Sequence, residues 1–136
     1  MKARKISLLA LSLILIVLEA LPYGAICNFA TEDGEPLRKT FSYFDFVPFG
    51  YANFGPFLTA FISVCLLTCL VILFFKSSKR LEGAIVILSL LGTFTSLMPF
   101  FSGVRYVSVI GVMITIVLLA MSVISIINKF KKQKAF

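Results

Sequence analysis

The sequence predicts an all-α membrane protein, a four-transmembrane-helix up-down bundle with an aromatic-rich extracytoplasmic loop between helices 1 and 2. Apolar residues make up 60% of the chain, and its mean hydropathy is +1.04. Charged residues make up only 14%, whereas average soluble proteins carry about 25%. Four long apolar runs use most of the 136 residues, which leaves room for a single membrane domain, 1–136.

The four apolar runs are the predicted spans, at about residues 6–26, 57–75, 83–101 and 107–127. Each is long enough, at about 1.5 Å per helical residue, to cross a hydrocarbon core of about 30 Å. Backbone amides in lipid must bond within their own segment, so such runs are helical despite their Ile, Val and Phe content. Short connections between the last three spans favour the up-down order.

Basic residues orient the chain. Ten of the 13 cations fall before the first span, between the second and third, or after the fourth. The positive-inside rule therefore places both termini in the cytoplasm of a multi-pass plasma-membrane protein. These clusters also account for the net charge of +7 without a nucleic acid: we expect them to contact the bilayer and its anionic headgroups at the cytoplasmic face.

The N-terminus has a second reading, as a cleaved secretory signal, because a basic stretch precedes the first apolar run. Ala25 and Cys27 form a poor small-residue cleavage pattern. The run is also longer than the roughly 7–15 apolar residues of a signal. A retained first helix is therefore favoured. Cleavage would leave three spans in the same orientation.

The outer loop, 28–56, changes from polar to aromatic along its length. Eight of the 17 residues in 41–57 are aromatic. An exposed aromatic forgoes on the order of 2 kcal/mol of burial, so this segment should lie in the headgroup region or fold over the bundle. One interpretation is an interfacial aromatic belt. The other is an aromatic-walled pocket with Asp45, Tyr51 and Asn53 as polar groups.

Glu19 is the one acidic residue inside a predicted span. An ionised carboxylate facing lipid is costly, so Glu19 should face the bundle or a wet cavity. Tyr23 lies four residues further along the helix, and Pro22 should kink the chain beside the carboxylate. Arg105, in a short outer turn, is the most available cation. A Glu19–Arg105 tie, a protonated hydrogen-bonded Glu19, and a proton- or cation-coupled binding site all remain open.

Composition removes the usual ligands and catalysts. The chain has no His, and its three Cys form no paired metal motif. Cys65 and Cys69 lie four apart inside an apolar helix, where a reactive thiolate is disfavoured. We therefore expect no metal and no cofactor, and regard an enzyme as less favoured than a non-enzymatic protein.

Two sequence patterns resemble a known group. Leu21-Pro22-Tyr23-Gly24-Ala25 and Ser42-Tyr43-Phe44-Asp45 resemble segments of small uncharacterised four-span integral membrane proteins of Gram-positive bacteria. The resemblance covers the first half of the chain. It implies a bacterial plasma-membrane protein and supplies no activity, substrate or catalytic residue.

Two functions follow as hypotheses. The first is a non-enzymatic accessory, scaffold or interaction subunit, whose small-residue helix stripes hold the bundle or a homo-oligomer or membrane-protein partner together. The second is a small-solute transporter or ligand-binding membrane module that uses Glu19 and the outer-loop aromatics. Its polar cluster would comprise Glu19, Tyr23, Asp45, Tyr51, Asn53 and Arg105.

Overall fold

The structure, a computed structural model, describes residues 2–51 and 53–135, most of which are helical. The elements, in chain order, are α1 (Lys2–Ala20), β1 (Ala25–Phe29), β2 (Leu37–Phe41), α2 (Val47–Gly50), α3 (Gly55–Phe75), α4 (Lys79–Ser96), α5 (Met98–Ser102) and α6 (Val109–Lys134). A short 3-10 turn, Val104–Tyr106, precedes α6. Three described segments are long and apolar enough to cross a membrane: Gly55–Phe75, Lys79–Ser102 and Val109–Lys134. A mostly helical protein with membrane-length apolar helices is thus confirmed.

The first helix differs from its prediction. It ends at Ala20 rather than near residue 26, because Pro22 lacks an amide donor and disfavours the helical conformation of the residue before it. Residues 25 and 26 belong to β1 instead. Helix α1 is also not among the three membrane-length segments, since it carries three cations in its first turn and Glu19 in its last.

The other boundaries shift for local reasons. Helix α3 begins at Gly55 with Pro56 in its first turn, where a missing amide is harmless. Helix α4 begins at Lys79, before the predicted 83, with Glu82 favourably placed in its first turn. It breaks at Leu97, just before Pro99. Helix α6 continues past the predicted 127 to Lys134, and its last turn carries three lysines, which favour a helix C-terminus.

Four long helices surround one core. Helix α1 contacts α3 and α6, and α4 contacts the same two helices. Fully buried side chains from α1, α3 and α6 fill the space between them; they include Leu15, Leu66, Ile114, Leu118 and Met121. This arrangement gives every long helix an inner face and an opposite face that carries exposed apolar side chains.

A β-hairpin that the hydropathy pattern does not predict follows α1. Strands β1 and β2 pair antiparallel, with Ala25 opposite Phe41 and Phe29 opposite Leu37. The polar turn between them includes Gly34 at φ +79°, a conformation that favours glycine. The hydropathy pattern does not predict β1, because the first residues of this strand continue the apolar run of α1. A short apolar run does not distinguish a helix from a strand.

Candidate functional site

Glu19 makes a polar contact between α1 and α3. Its side chain is fully buried in the last turn of α1. Ser63 of α3 donates a hydrogen bond from Oγ to Glu19 Oε1 at 2.6 Å. Neither Glu19 nor Arg105 takes part in an ion pair among residues 2–51 and 53–135, and Arg105 is exposed. Of the three possibilities for Glu19, the tie to Arg105 is therefore not found among the described residues, where Glu19 is hydrogen-bonded to Ser63 instead.

Hydroxyl groups continue this contact from helix to helix. Ser63 Oγ also lies 2.9 Å from the carbonyl oxygen of Thr59, one turn earlier in α3. Thr59 Oγ1 lies 2.9 Å from Thr95 Oγ1 of α4, and Thr93 Oγ1 lies 3.3 Å from Ser122 Oγ of α6. The interfaces α1–α3, α3–α4 and α4–α6 thus each hold a buried side-chain hydrogen bond. In a bilayer such bonds help to choose helix partners, because lipid supplies no hydrophobic drive between helices.

The fourth interface, between α1 and α6, is tied at both ends. Arg4 Nη1 donates to Asn128 Oδ1 at 3.1 Å near the chain termini. At the opposite end, Ser108 Oγ donates to the carbonyl oxygen of Gly24 at 2.5 Å. The same Ser108 oxygen accepts a hydrogen bond from Gly111 N, so it caps α6 as well. One serine thereby joins the segment after α1 to the first turn of α6.

Tyr43 covers the end of this polar interior that lies next to the last turn of α1. Its amide donates to the Glu19 carbonyl oxygen at 2.9 Å, and its ring is buried. The ring lies against Gly24 and its hydroxyl against Gly111, since an added Cβ at these glycines would lie 2.9 and 3.1 Å from Tyr43 atoms. Burial raises the pKa of Tyr43, and the nearby Glu19 carboxyl raises it further. Among the loop aromatics, Tyr43 is the one whose ring is buried against the end of the helix bundle.

The other predicted polar groups lie apart. Tyr23 is 61% exposed, and Tyr51 is 66% exposed and packs edge-on against Phe29. Asn53 Nδ2 donates to the carbonyl oxygen of Ile26, which fastens the loop to β1. Asp45 accepts a hydrogen bond from Val47 N at the start of α2. The hydrogen bonds and ion pairs within the described chain join none of the six candidate residues to another.

The outer aromatics form two clusters rather than one pocket. Phe46, Phe49, Phe54 and Phe57 contact one another with centroid distances of 4.4 to 5.7 Å. Phe29 contacts both Phe41 and Tyr51 on the hairpin side. Such offset and edge-on pairs stabilise a folded loop. Several of these rings remain more than one-third exposed, among them Phe46 at 68%, so one side of the loop still presents aromatic surface.

The cavity nearest Tyr43 is small. Its lining includes Gly24, Tyr43, Ser96, Tyr106 and Ser108, and its volume is about 10 Å³. A space of about this size holds one water molecule. Beneath Tyr43, Glu19 Oε2 and Ser12 Oγ are buried and have no hydrogen-bond partner among the described residues. The cavity beside Tyr43 is far smaller than an organic solute, and its described lining includes neither Glu19 nor Ser12.

The three cysteines do not form a reactive or metal-binding group among the described residues. Cys27, Cys65 and Cys69 are free thiols. Burial raises the pKa of Cys27, and the negative charge of Asp45 raises it further, which disfavours the reactive thiolate. Within residues 2–51 and 53–135, no three His, Cys, Asp or Glu side chains are grouped so that they could hold a metal ion.

Sequence reasoning missed Ser63 and Tyr43 as the partners of Glu19. A signal for Ser63 was available, since Thr59 and Ser63 lie four apart and so mark one polar face of α3. Tyr43 carried no such signal, because seven other aromatics surround it in residues 41–57. Its burial follows from the turn after Ala20, which carries the chain back over Glu19.

No protein-family model, no curated protein and no solved structure matches this chain.

Proposed function

We propose that this protein is an integral protein of the bacterial plasma membrane, in which α1, α3, α4 and α6 all cross the bilayer and both termini are cytoplasmic. It acts as a non-enzymatic accessory, scaffold or interaction subunit; the resemblance to Gram-positive four-span proteins supports the membrane assignment and supplies no activity. The observation that carries the proposal is the packing around Glu19: its buried carboxyl contacts Ser63, Tyr43 packs over the end of α1, and the cavity beside Tyr43 has a volume of about 10 Å³.

The case for α1 as a fourth span rests on its charges. Its 19 residues extend about 28 Å at 1.5 Å per residue, close to the thickness of a hydrocarbon core. The cations Lys2, Arg4 and Lys5 lie at one end, where long side chains reach the headgroups. Glu19 is buried toward α3 and so avoids lipid. Helix α1 also packs beside α3 and α6, two helices that are long and apolar enough to span.

The basic residues support the orientation. Lysines and arginines flank the start of α1, the α3–α4 connection and the end of α6. The opposite end of the molecule carries the hairpin and the aromatic clusters, which suit an outer interface. Cytoplasmic termini follow from the positive-inside rule.

The scaffold role is supported by what the outer helix faces offer. Each long helix presents a large apolar side chain that is about three-fifths exposed, namely Val17, Phe61, Ile87 and Ile116. Lipid can cover such faces, and so can the helices of a second copy or of another membrane protein. The interior hydrogen bonds hold the four helices in a defined arrangement, as a scaffold requires.

Topology is tested with single cysteines in a variant that lacks the three native ones. We expect a membrane-impermeant maleimide to label a cysteine at Glu32, exposed in the hairpin turn, from outside intact cells. A cysteine at Gln133 should react only after the cells are opened. Labelling of both positions from outside, or of Gln133 alone, would contradict the four-span arrangement.

The scaffold role is tested with a photo-crosslinking amino acid at Phe61, Ile87 or Ile116. We expect a discrete crosslinked protein band from at least one helix face. Leu66 faces the core and is fully buried, so the same probe at Leu66 is the control and should give none. Lipid adducts alone from every exposed position would count against an interaction subunit.

A second candidate, a proton- or cation-coupled carrier, is favoured by one observation: Glu19 Oε2 and Ser12 Oγ are buried without a partner in the described chain. The two residues are seven apart on one face of α1. A solute-dependent rise in the melting temperature that Glu19→Gln abolishes would establish the carrier. If Glu19→Gln changes stability alone and a panel of cations and small solutes gives no shift, the scaffold role is strengthened.

A further inference from the structure

An open groove separates α1 from α6 at the basic end of the molecule. Its volume is about 340 Å³, and its lining comprises Arg4 and Ser7 of α1 with Ile124, Ile127 and Lys131 of α6. The α6 residues follow one another at spacings of three and four, so they form one helix face. Lys131 lies about 6 Å further along the axis than Ile127, at 1.5 Å per residue. The groove is therefore cationic toward the chain termini and aliphatic toward the bundle.

The cationic side chains at this end differ in their hydrogen-bond and ion-pair partners. Lys5 Nζ lies 3.0 Å from Ser77 Oγ and is thereby tied to the α3–α4 connection. Lys132 forms an ion pair with Glu82 of α4. Lys131, in contrast, is exposed, and its ammonium has no partner among the residues that the structure describes.

Arg4 is held in place at the groove. Its Nη1 donates to Asn128 Oδ1 at 3.1 Å, and this bond uses one of the five N–H donors of a guanidinium. The remaining donors are fixed in a planar fork that suits the oxygens of a phosphate. The described lining residues include no carboxylate, so the groove offers two positive charges and no negative one.

We infer that this groove is a binding site for one anionic phospholipid of the cytoplasmic leaflet. The headgroup phosphate contacts Arg4 and Lys131, the Ser7 hydroxyl lies beside them in the lining, and one acyl chain covers Ile124 and Ile127. Charge complementarity selects an anionic headgroup over a zwitterionic one. The aliphatic half selects a lipid over a free phosphate ion. The inference rests on the proposed function in one respect, since it needs α1 and α6 to lie together in the cytoplasmic leaflet.

The test is a native mass spectrometry titration of the detergent-solubilised full-length protein with phosphatidylglycerol and, separately, phosphatidylcholine. We expect the first phosphatidylglycerol to bind at least about tenfold more tightly than phosphatidylcholine. The double variant Arg4→Gln/Lys131→Gln should lose about 30-fold in phosphatidylglycerol affinity, and Lys131→Gln alone about fivefold. The single variant leaves the Arg4–Asn128 bond in place, so its loss of affinity does not come from a disturbed helix interface.

The matched control is Lys2→Gln/Lys129→Gln, which removes the same charge from the same two helices. Each control residue is two positions from its counterpart and thus about 200° around the helix, off the groove. Equal losses in the two double variants would overturn the site in favour of diffuse surface charge. Displacement of the lipid by millimolar inorganic phosphate would also overturn it.

A separate experiment tests the integral-membrane proposal on which this inference depends. Alkaline carbonate extraction of membranes should leave the unaltered protein in the pellet. Release into the supernatant would refute the integral-membrane proposal itself. Retention in the pellet combined with equal affinity for both lipids would refute the lipid site alone.

Discussion

Ser63 Oγ lies 2.6 Å from Glu19 Oε1, and this contact joins α1 to α3 inside the helix bundle. The serine hydroxyl has one proton and faces two acceptors, Glu19 Oε1 and the Thr59 carbonyl oxygen. A neutral carboxyl group would donate its own proton to Ser63 and leave the serine proton for Thr59. A neutral amide at position 19 can take the same place.

The first prediction follows from that geometry. Glu19→Gln should change the free energy of unfolding by less than about 1 kcal/mol, because an amide preserves a hydrogen bond to Ser63. Ser63→Ala should cost about 1–3 kcal/mol, because it leaves the buried Glu19 carboxyl group without its partner. Thermal unfolding in one detergent measures both. A Glu19→Gln variant that is less stable than Ser63→Ala would show that an ionised carboxylate is needed.

The second prediction concerns close packing at the start of α3. An added Cβ at Gly55 would lie 2.9 Å from the Thr95 carbonyl oxygen and 2.9 Å from Met98 Cβ, so Gly55→Ala must move backbone. We expect a loss of about 1–3 kcal/mol in unfolding free energy. Gly83→Ala in α4 is the control, because nothing lies within 4 Å of the added methyl. It should stabilise its helix by up to about 1 kcal/mol. Equal effects of the two variants would refute this packing.

The third prediction is a loss of stability at high pH that depends on Tyr43. A tyrosine side chain in the unfolded chain has a pKa of about 10, whereas burial in the folded protein raises the pKa of Tyr43. Above pH 10 the unfolded state loses a proton that the folded state keeps. The stabilisation that comes from burying the neutral Tyr43 side chain is therefore fully present below pH 10. As the pH rises further, the free energy of unfolding falls by up to about 1.4 kcal/mol per pH unit.

Tyr43→Phe should flatten that fall when melting is followed from pH 8 to pH 11. Tyr23→Phe is the matched control: Tyr23 is 61% exposed, and its variant should keep the slope of the unaltered protein. If Tyr43→Phe keeps the full slope as well, the high-pH transition has another origin.

The fourth prediction concerns the Cys27 thiol. Burial and the nearby Asp45 charge raise its pKa, and the thiolate is the species that reacts. In a Cys65→Ala/Cys69→Ala background, Cys27 should react with maleimide at pH 7.5 at least about tenfold more slowly than a cysteine placed at Glu32 in a variant that lacks Cys27. Glu32 is exposed in the polar turn of the hairpin. Similar rates at the two positions would mean that the hairpin opens readily.

The sequence alone determined that the chain is mostly helical and where its helices of membrane length approximately lie. Hydropathy and helix length are local properties, so the second, third and fourth apolar runs could be recognised without knowing their neighbours. The effect of Pro56 at the start of α3 could be recognised for the same reason. The end of α1 was placed too late because apolar residues continue past Ala20, although Pro22 marked the stop.

Only the tertiary structure decided which side chains meet. The sequence left three possibilities open for Glu19, and the structure places it against Ser63, because the rotation of α1 relative to α3 sets that pairing and hydropathy does not encode rotation. Tyr43 is buried at the end of the bundle and Tyr51 is exposed, because the hairpin carries the chain back across the end of α1. A contact between residues distant in sequence depends on how the whole chain packs, and one local pattern cannot specify it.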